Sequence, residues 1–235
     1  MRSAGLDLVK WTAILTMVAD HLRFLWPAAE GLFVLGRLAF PLFCLAIAVN
    51  VGRSHSGALF TRGNARYLGW LLVFAVLCEG PYRWLDNGSQ TFSVIPTLAL
   101  GLLVAWGVHH PQALARLGGI AAALVAALAS ERLMYGVPGV LLPAACLIAR
   151  SRGGASWLLP CLLAMAGNLT NSWLRDHLLH PTTLLVLAIA AVALPLGGWL
   201  LRRDDWRIVP VGRWGYAFYP LHLLAIKGLQ GLIQA

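Results

Sequence analysis

The residues that could do chemistry in this chain are ionisable groups set inside apolar runs. Asp7, Lys10, Asp20 and His21 interrupt the first run, Arg37 interrupts the second, and His222 lies in the last. An ionisable side chain held in hydrocarbon costs roughly 2.5–3.5 kcal/mol on insertion scales, so each must face other helices, find a partner or line a wet cavity. On a helix with Lys10 at zero, His21 falls at about 20°, Asp7 at about 60° and Asp20 at about −80°. All four share one face, and Lys10 and His21 stand about 16 Å apart along it. Imidazole titrates near neutrality, which suits it to exchange protons. A guanidinium about two turns into a span is placed to bind an anion: a carboxylate, a phosphate or a thioester oxygen.

Neighbouring side chains on a helix diverge by about 100°. Asp20 therefore cannot easily orient the His21 ring, and its expected partner is on another helix, with Arg37 the first candidate. Pro41 has no N–H to give the carbonyl four residues earlier, which is that of Arg37, so a locally opened helix is expected beside the guanidinium. A kink paired with a snorkelling arginine reads equally well from these residues, and the polar stripe reads as an ion-pair network that fixes helix packing. His222 has Gly215, Phe218 and Tyr219 on its side, and a lone buried histidine is either a satisfied core residue or a site residue. Asn168, Asn171 and Arg175 share a face and could line the same cavity or serve structural hydrogen bonds. Glu79, Pro81 and Tyr82 end an apolar run, whereas His109, His110, His177 and His180 read as solvated loop histidines. No GxSxG, P-loop, HExxH or dinucleotide fingerprint is present.

The elements that must position these groups follow from composition. Of 235 residues 59% are hydrophobic and 11% charged, with mean hydropathy +0.74. A soluble domain averages about 25% charged residues, so a soluble globule could not cover its surface with these. The apolar runs predict an all-α, polytopic transmembrane bundle of about nine helices. They fall near 5–26, 31–52, 67–82, 92–108, 117–133, 135–149, 157–174, 183–201 and 214–233, in one membrane domain over 1–235. Residues 117–149 are either two spans or one broken element. Asp7, Lys10, Asp20 and His21 also exclude a cleavable signal. Gly118-Gly119 and Gly197-Gly198 are expected where helices pack closely.

Charge orients the spans. With the N-terminus inside, inner segments carry Arg2, Arg53, Arg62, Arg66, Arg116, Arg150, Arg152, Arg202, Arg203, Arg207 and Arg213, and outer ones only Arg23, Arg83, Arg132 and Arg175. That asymmetry predicts N-in and C-out. The net charge of +9 comes from these scattered residues, with no basic patch long enough to track a nucleic-acid backbone. Cys44, Cys78, Cys146 and Cys161 sit in apolar runs without metal-ligand spacing and read as packing residues.

Three blocks in order resemble the TraX family: Lys10 to His21, Gly36-Arg37-Leu38-Ala39-Phe40-Pro41-Leu42-Phe43-Cys44, and Phe218-Tyr219-Pro220-Leu221-His222-Leu223. Glu79-Gly80-Pro81-Tyr82 and Tyr135-Gly136-Val137-Pro138-Gly139-Val140 are weaker similarities, and the TrbP conjugation proteins of plasmids look nearest in character. The resemblance implies a bacterial inner-membrane protein that acetylates the N-terminus of a conjugative pilin subunit. The family is also similar to type-3 acyltransferases, which carry acyl groups from cytoplasmic coenzyme A esters to acceptors at the far face. It implies catalytic roles for His21 and Arg37, with acetyl-coenzyme A as donor, the bilayer as surroundings and no metal.

The residues suit that chemistry. An amine or hydroxyl attacking a thioester needs a base, for which His21 is the candidate. The developing oxyanion needs a positive donor, for which Arg37 is the candidate. Asp20 would hold Arg37 or balance charge, His222 would position the acceptor or assist proton transfer, and Lys10 with inner-loop arginines would meet the coenzyme A phosphates. His21, Arg37 and His222 are expected around one cavity. A non-catalytic assembly factor of a conjugation apparatus and a proton-coupled transporter are the other classes these residues allow. Cysteine labelling is expected to place the 53–66, 109–116, 150–156 and 202–213 loops in the cytoplasm and the C-terminus outside. A cytoplasmic C-terminus would mean a miscounted span.

Overall fold

The computed structural model describes residues 3–234, so Arg2 lies outside the described residues. Every regular element among them is helical. Helix α1 (Ala4–Leu22) is capped by Ser3, whose hydroxyl accepts from the Leu6 N–H at 3.3 Å. It stops four residues short of the expected end, in turns through Leu25.

The second apolar run is two helices, α2 (Glu30–Gly36) and α3 (Ala39–Arg53). Across the break the Arg37 and Leu38 N–H groups turn back to Val34 and Leu35 at 3.1 and 3.2 Å, the i to i−3 spacing of a tightened turn. The opening that Pro41 predicts is therefore present, one turn before the proline itself.

Two expected spans are broken where continuity was anticipated. The run 67–82 divides into α4 (Arg62–Leu77) and α5 (Glu79–Leu85). Pro81 cannot donate to the Leu77 carbonyl, which interrupts the ladder, and it resumes with Tyr82 N–H to Cys78 at 2.9 Å. After α6 (Val94–His109), α7 (Ala113–Leu128), a 3-10 turn at Ser130–Arg132 and α8 (Gly136–Arg152), the run 157–174 divides into α9 (Leu158–Asn168) and α10 (Ser172–Asp176). There the Thr170 hydroxyl bonds back to Gly167 at 2.8 Å, and Asn171 caps α10 by accepting from Leu174 at 3.2 Å. Such side chains offer the backbone an alternative to the helical ladder. The break removes the shared face expected of Asn168, Asn171 and Arg175. Asn168 bonds within α9, Asn171 is a cap, and Arg175 is exposed beside Asp176. The 117–149 stretch is two helices, and α11 (Pro181–Leu200) and α12 (Trp214–Gln234) complete the chain.

Helix α1 packs on α2 and α3, and α6 on α7 and α8. Small residues allow the closest approach: a Cβ on Gly119 would stand 3.1 Å from the Gly107 Cα. The kinked Glu30–Arg53 unit and Pro181–Leu200 are long and apolar enough to cross a membrane. Leu114, Leu117, Ile120, Leu124 and Leu128 are exposed on α7, an exterior for lipid more than for water.

His110 is buried and His109 half-buried, so neither is the solvated loop histidine expected. Their rings bond the Ser54 and Ser56 carbonyls at 2.9 and 2.7 Å, pinning the turn after α3. His177 and His180 are exposed, and His180 caps α11.

Residues 204–211 form a strap over the N-terminal end of α1. Asp204 accepts from the Ser3 hydroxyl at 2.8 Å and the Gly5 N–H at 3.1 Å, and the Trp11 indole donates to the Val209 carbonyl at 2.8 Å. Val211 is held twice: its N–H donates to Asp7 at 3.1 Å and its carbonyl accepts from Lys10 at 3.3 Å. The Gly5 and Ser3 hydrogen bonds keep the Asp204 carboxyl below its ordinary value. A carboxylate depressed in the folded state stabilises it above the unfolded pKa of about 3.9 and ceases to as pH falls through the folded value. Asp204→Ala is expected to speed tryptic cleavage at Arg207 several-fold at neutral pH, read by timed digestion of the detergent-solubilised protein. An unchanged cleavage rate would show that the strap does not depend on this anchor.

Candidate functional site

The polar face of α1 divides into two functions. Asp7 and Lys10 are engaged with Val211 of the strap. In the last turn of the helix, Asp20 and His21 meet Arg37 after α2 and His222 of α12. The Asp20 carboxylate pairs with the Arg37 guanidinium, the partner expected of it, and Arg23 approaches the same oxygen at 3.9 Å. Gly36 permits this, because any Cβ there would collide with the Asp20 side chain. The helix break then turns Arg37 toward α1.

Arg37 is held on every side. Its Nε donates to the Phe33 carbonyl at 3.1 Å, its guanidinium lies over the Phe33 ring at 4.3 Å, and Nη1 stands 3.4 Å from the Tyr135 hydroxyl. A guanidinium carries five N–H groups. Among the described residues this leaves one N–H on each terminal nitrogen without a protein acceptor.

His21 Nδ1 and His222 Nε2 are 2.7 Å apart. The His222 Nδ1 lies 3.0 Å from the Phe218 carbonyl, which can only accept, so that nitrogen carries the hydrogen. With both rings neutral, His222 Nε2 is then an acceptor and His21 Nδ1 the donor. The lone pair of His21 is therefore on Nε2, which makes no hydrogen bond to the described residues. Phe218 stacks on His222 at 5.2 Å, and Tyr219 meets both imidazoles edge-on at 6.1 and 5.5 Å. His222 is thus a direct partner of His21, nearer than its spacing in sequence required.

His21 meets His222, and Arg37 meets the neighbouring Asp20, but none of the three walls either of the two cavities near α1. A cavity of about 170 Å³ runs along the Lys10, Ile14 and Met17 face of α1 to Tyr219, with Asn50, Tyr67 and Tyr216 among its walls. No arginine lines it, contrary to the expected inner mouth. A larger space of about 770 Å³ lies at the other end of α1, walled by Arg23, Phe24, Glu30, Phe33, Asp86 and Trp173 among others. The site touches the first through Tyr219 and the second through Arg23 and Phe33. Burial raises the Asp86 carboxyl above its ordinary value, with Arg23 opposing. Tyr135 is the site residue that sequence reading misses. In the sequence it stands only within the weaker block Tyr135–Val140, with no role attached to it.

The TraX protein family model matches residues 5–230. A probable fimbrial assembly protein, FimC of serogroup H1 from Dichelobacter nodosus, is 34% identical over 111 residues, which cover 40% of this chain and 43% of that protein. This chain thus aligns with less than half of that relative. No solved structure matches.

Removing one partner of a buried ion pair strands the other charge, at a cost of about 3–5 kcal/mol. Arg37→Met is expected to lower the melting temperature in detergent, and Asp20→Asn added to it is expected to recover part of the loss. A double variant no more stable than Arg37→Met would contradict the pairing.

Proposed function

The chain belongs to the TraX family, and on that premise we propose that it is a membrane-embedded acetyltransferase. It moves an acetyl group from acetyl-coenzyme A to an acceptor at the far face, the N-terminus of a pilin subunit. The observation that carries this reading is a pair of contacts made by neighbours on α1: His21 meets His222 and keeps its Nε2 lone pair free, while Asp20 holds the Arg37 guanidinium with its two open N–H groups.

The acceptor amine adds its lone pair to the thioester carbonyl carbon, and the C=O π pair moves to oxygen. His21 Nε2 takes the proton lost by nitrogen, while its Nδ1–H leans on His222, which stabilises the imidazolium. Arg37 N–H groups stabilise the oxyanion. Asp20 holds the guanidinium in place and keeps the pair neutral. When the oxyanion collapses the C–S bond breaks, the sulfur leaves with the pair and takes the proton back from His21. The products are an amide and a free thiol.

The arginine asymmetry supports a multi-pass protein of the bacterial inner membrane with its N-terminus inside. In that orientation the cavity along Lys10 opens from the cytoplasmic side. Its apolar walls suit the arm of coenzyme A, and Lys10 would exchange the Val211 carbonyl for a phosphate. The larger space at Arg23, Glu30 and Asp86 would receive the acceptor from outside. The second reading, a non-catalytic assembly factor, is favoured by the fimbrial relative, which is named as an assembly protein.

Labelled acetyl-coenzyme A and a peptide bearing the pilin N-terminus separate the two. His21→Ala and Arg37→Ala are each expected to lower transfer by about 10²–10⁴-fold, His21→Ala at near-normal levels of inserted protein and Arg37→Ala when compared per inserted molecule. Arg37→Lys is expected to fail as well, because an ammonium cannot hold Asp20 and an oxyanion as a planar fork does. Full activity in purified His21→Ala protein would remove the base and the mechanism with it.

A further inference from the structure

Tyr135 has the one positive φ of any non-glycine residue among the described residues, at φ 66° and ψ 2°. A bulky aromatic side chain in that left-handed region is strained, and glycine or asparagine would sit there at lower cost. Such strain persists only where the surroundings enforce it, and here they do. The Tyr135 ring stacks on Phe40 with centroids 3.9 Å apart and planes 8° apart. The preceding carbonyl, that of Met134, accepts from the Thr97 hydroxyl at 2.8 Å. Gly139 leaves the room: a Cβ there would come within 2.6 Å of the Tyr135 Cβ and 3.0 Å of the Phe40 ring. Three residues from three helices, Phe40, Thr97 and Gly139, thus hold one tyrosine in a conformation it disfavours.

Packing explains the ring but not the hydroxyl, since phenylalanine would stack on Phe40 equally well. The hydroxyl is buried with the rest of the residue, and its oxygen faces Arg37 Nη1 at 3.4 Å. A guanidinium can only donate, so the phenol oxygen is the acceptor there. Its own hydrogen then has no acceptor among the described residues. A phenol whose oxygen accepts from a cation is a stronger donor through its hydrogen.

We propose that Tyr135 is a further catalytic residue, whose O–H donates to the oxyanion formed at the thioester carbonyl alongside the Arg37 N–H groups. The assignment rests on the acyl-transfer reading. The phenol keeps its proton throughout: it stabilises the negative oxygen by hydrogen bonding while His21 carries the proton that moves. The strained backbone fixes the hydroxyl beside Arg37 before substrate arrives, so no reorganisation is needed as charge develops.

Tyr135→Phe, assayed with labelled acetyl-coenzyme A and an amine-bearing peptide, is expected to lower kcat about 10²-fold while KM for the donor and the melting temperature stay near wild type. Replacing Tyr135 by 3-fluorotyrosine, a more acidic phenol, is expected to shift the alkaline limb of the kcat profile to lower pH. A merely structural ring would not move that limb. Wild-type kcat in Tyr135→Phe, or an alkaline limb unmoved by fluorination, would overturn the assignment alone. A wild-type protein that transfers no acetyl group would overturn the acyl-transfer reading and this assignment together.

Discussion

A guanidinium keeps its charge under any condition a protein meets, so one buried among helices must be given a carboxylate. In this chain Asp20 meets that need, and the architecture of the site follows from bringing the two together. Asp20 is late in α1 and Arg37 sits between α2 and α3. For them to touch, the two helices must approach without a side chain between them, which Gly36 allows. The second run must also open at Arg37, which Pro41 allows by leaving its carbonyl unbonded. The pair therefore fixes the angle and depth at which α2 meets α1.

His21 is placed by the same contact. It neighbours Asp20 but projects about 100° away, onto α12 rather than α2, and there meets His222 at 2.7 Å. The Phe218 carbonyl settles the tautomer of His222, and that in turn settles the tautomer of His21. A backbone oxygen on the last helix thus decides which nitrogen of the first helix has a lone pair to offer. Arg37, engaged by Phe33, Asp20 and Tyr135, keeps one N–H on each terminal nitrogen without an acceptor among the described residues. On the proposed reading, base and oxyanion donors are both set before substrate binds, with a cavity at either end of α1 to bring the two reactants to them.

Much of this was legible in residue spacing. The polar face of α1, the search for Asp20's partner on another helix and the opening at Arg37 all follow from angles, charge and a missing N–H, which are local properties. The breaks at Cys78 and at residues 169–171 were not, because apolar runs carry the same hydropathy through a kink as through a straight helix. Pro81 and the Thr170–Asn171 pair were the signals available. The contacts that Asp7 and Lys10 make with the strap were not legible for another reason. Their partner, Val211, offers only backbone groups, and a backbone partner some two hundred residues away leaves no mark in composition. The same holds for His109 and His110, whose acceptors are carbonyls. Tyr135 was hidden because its signal is a backbone angle.

The central claim is that one site inside the protein joins a donor from one face to an acceptor at the other. Proteoliposomes with the protein in a single orientation test it most directly, with labelled acetyl-coenzyme A outside the vesicles and a peptide amine trapped within. In vesicles whose cytoplasmic face is outward, label is expected on the enclosed peptide, and reversing the orientation is expected to abolish it. Transfer that occurs only when donor and peptide share a compartment would contradict the account.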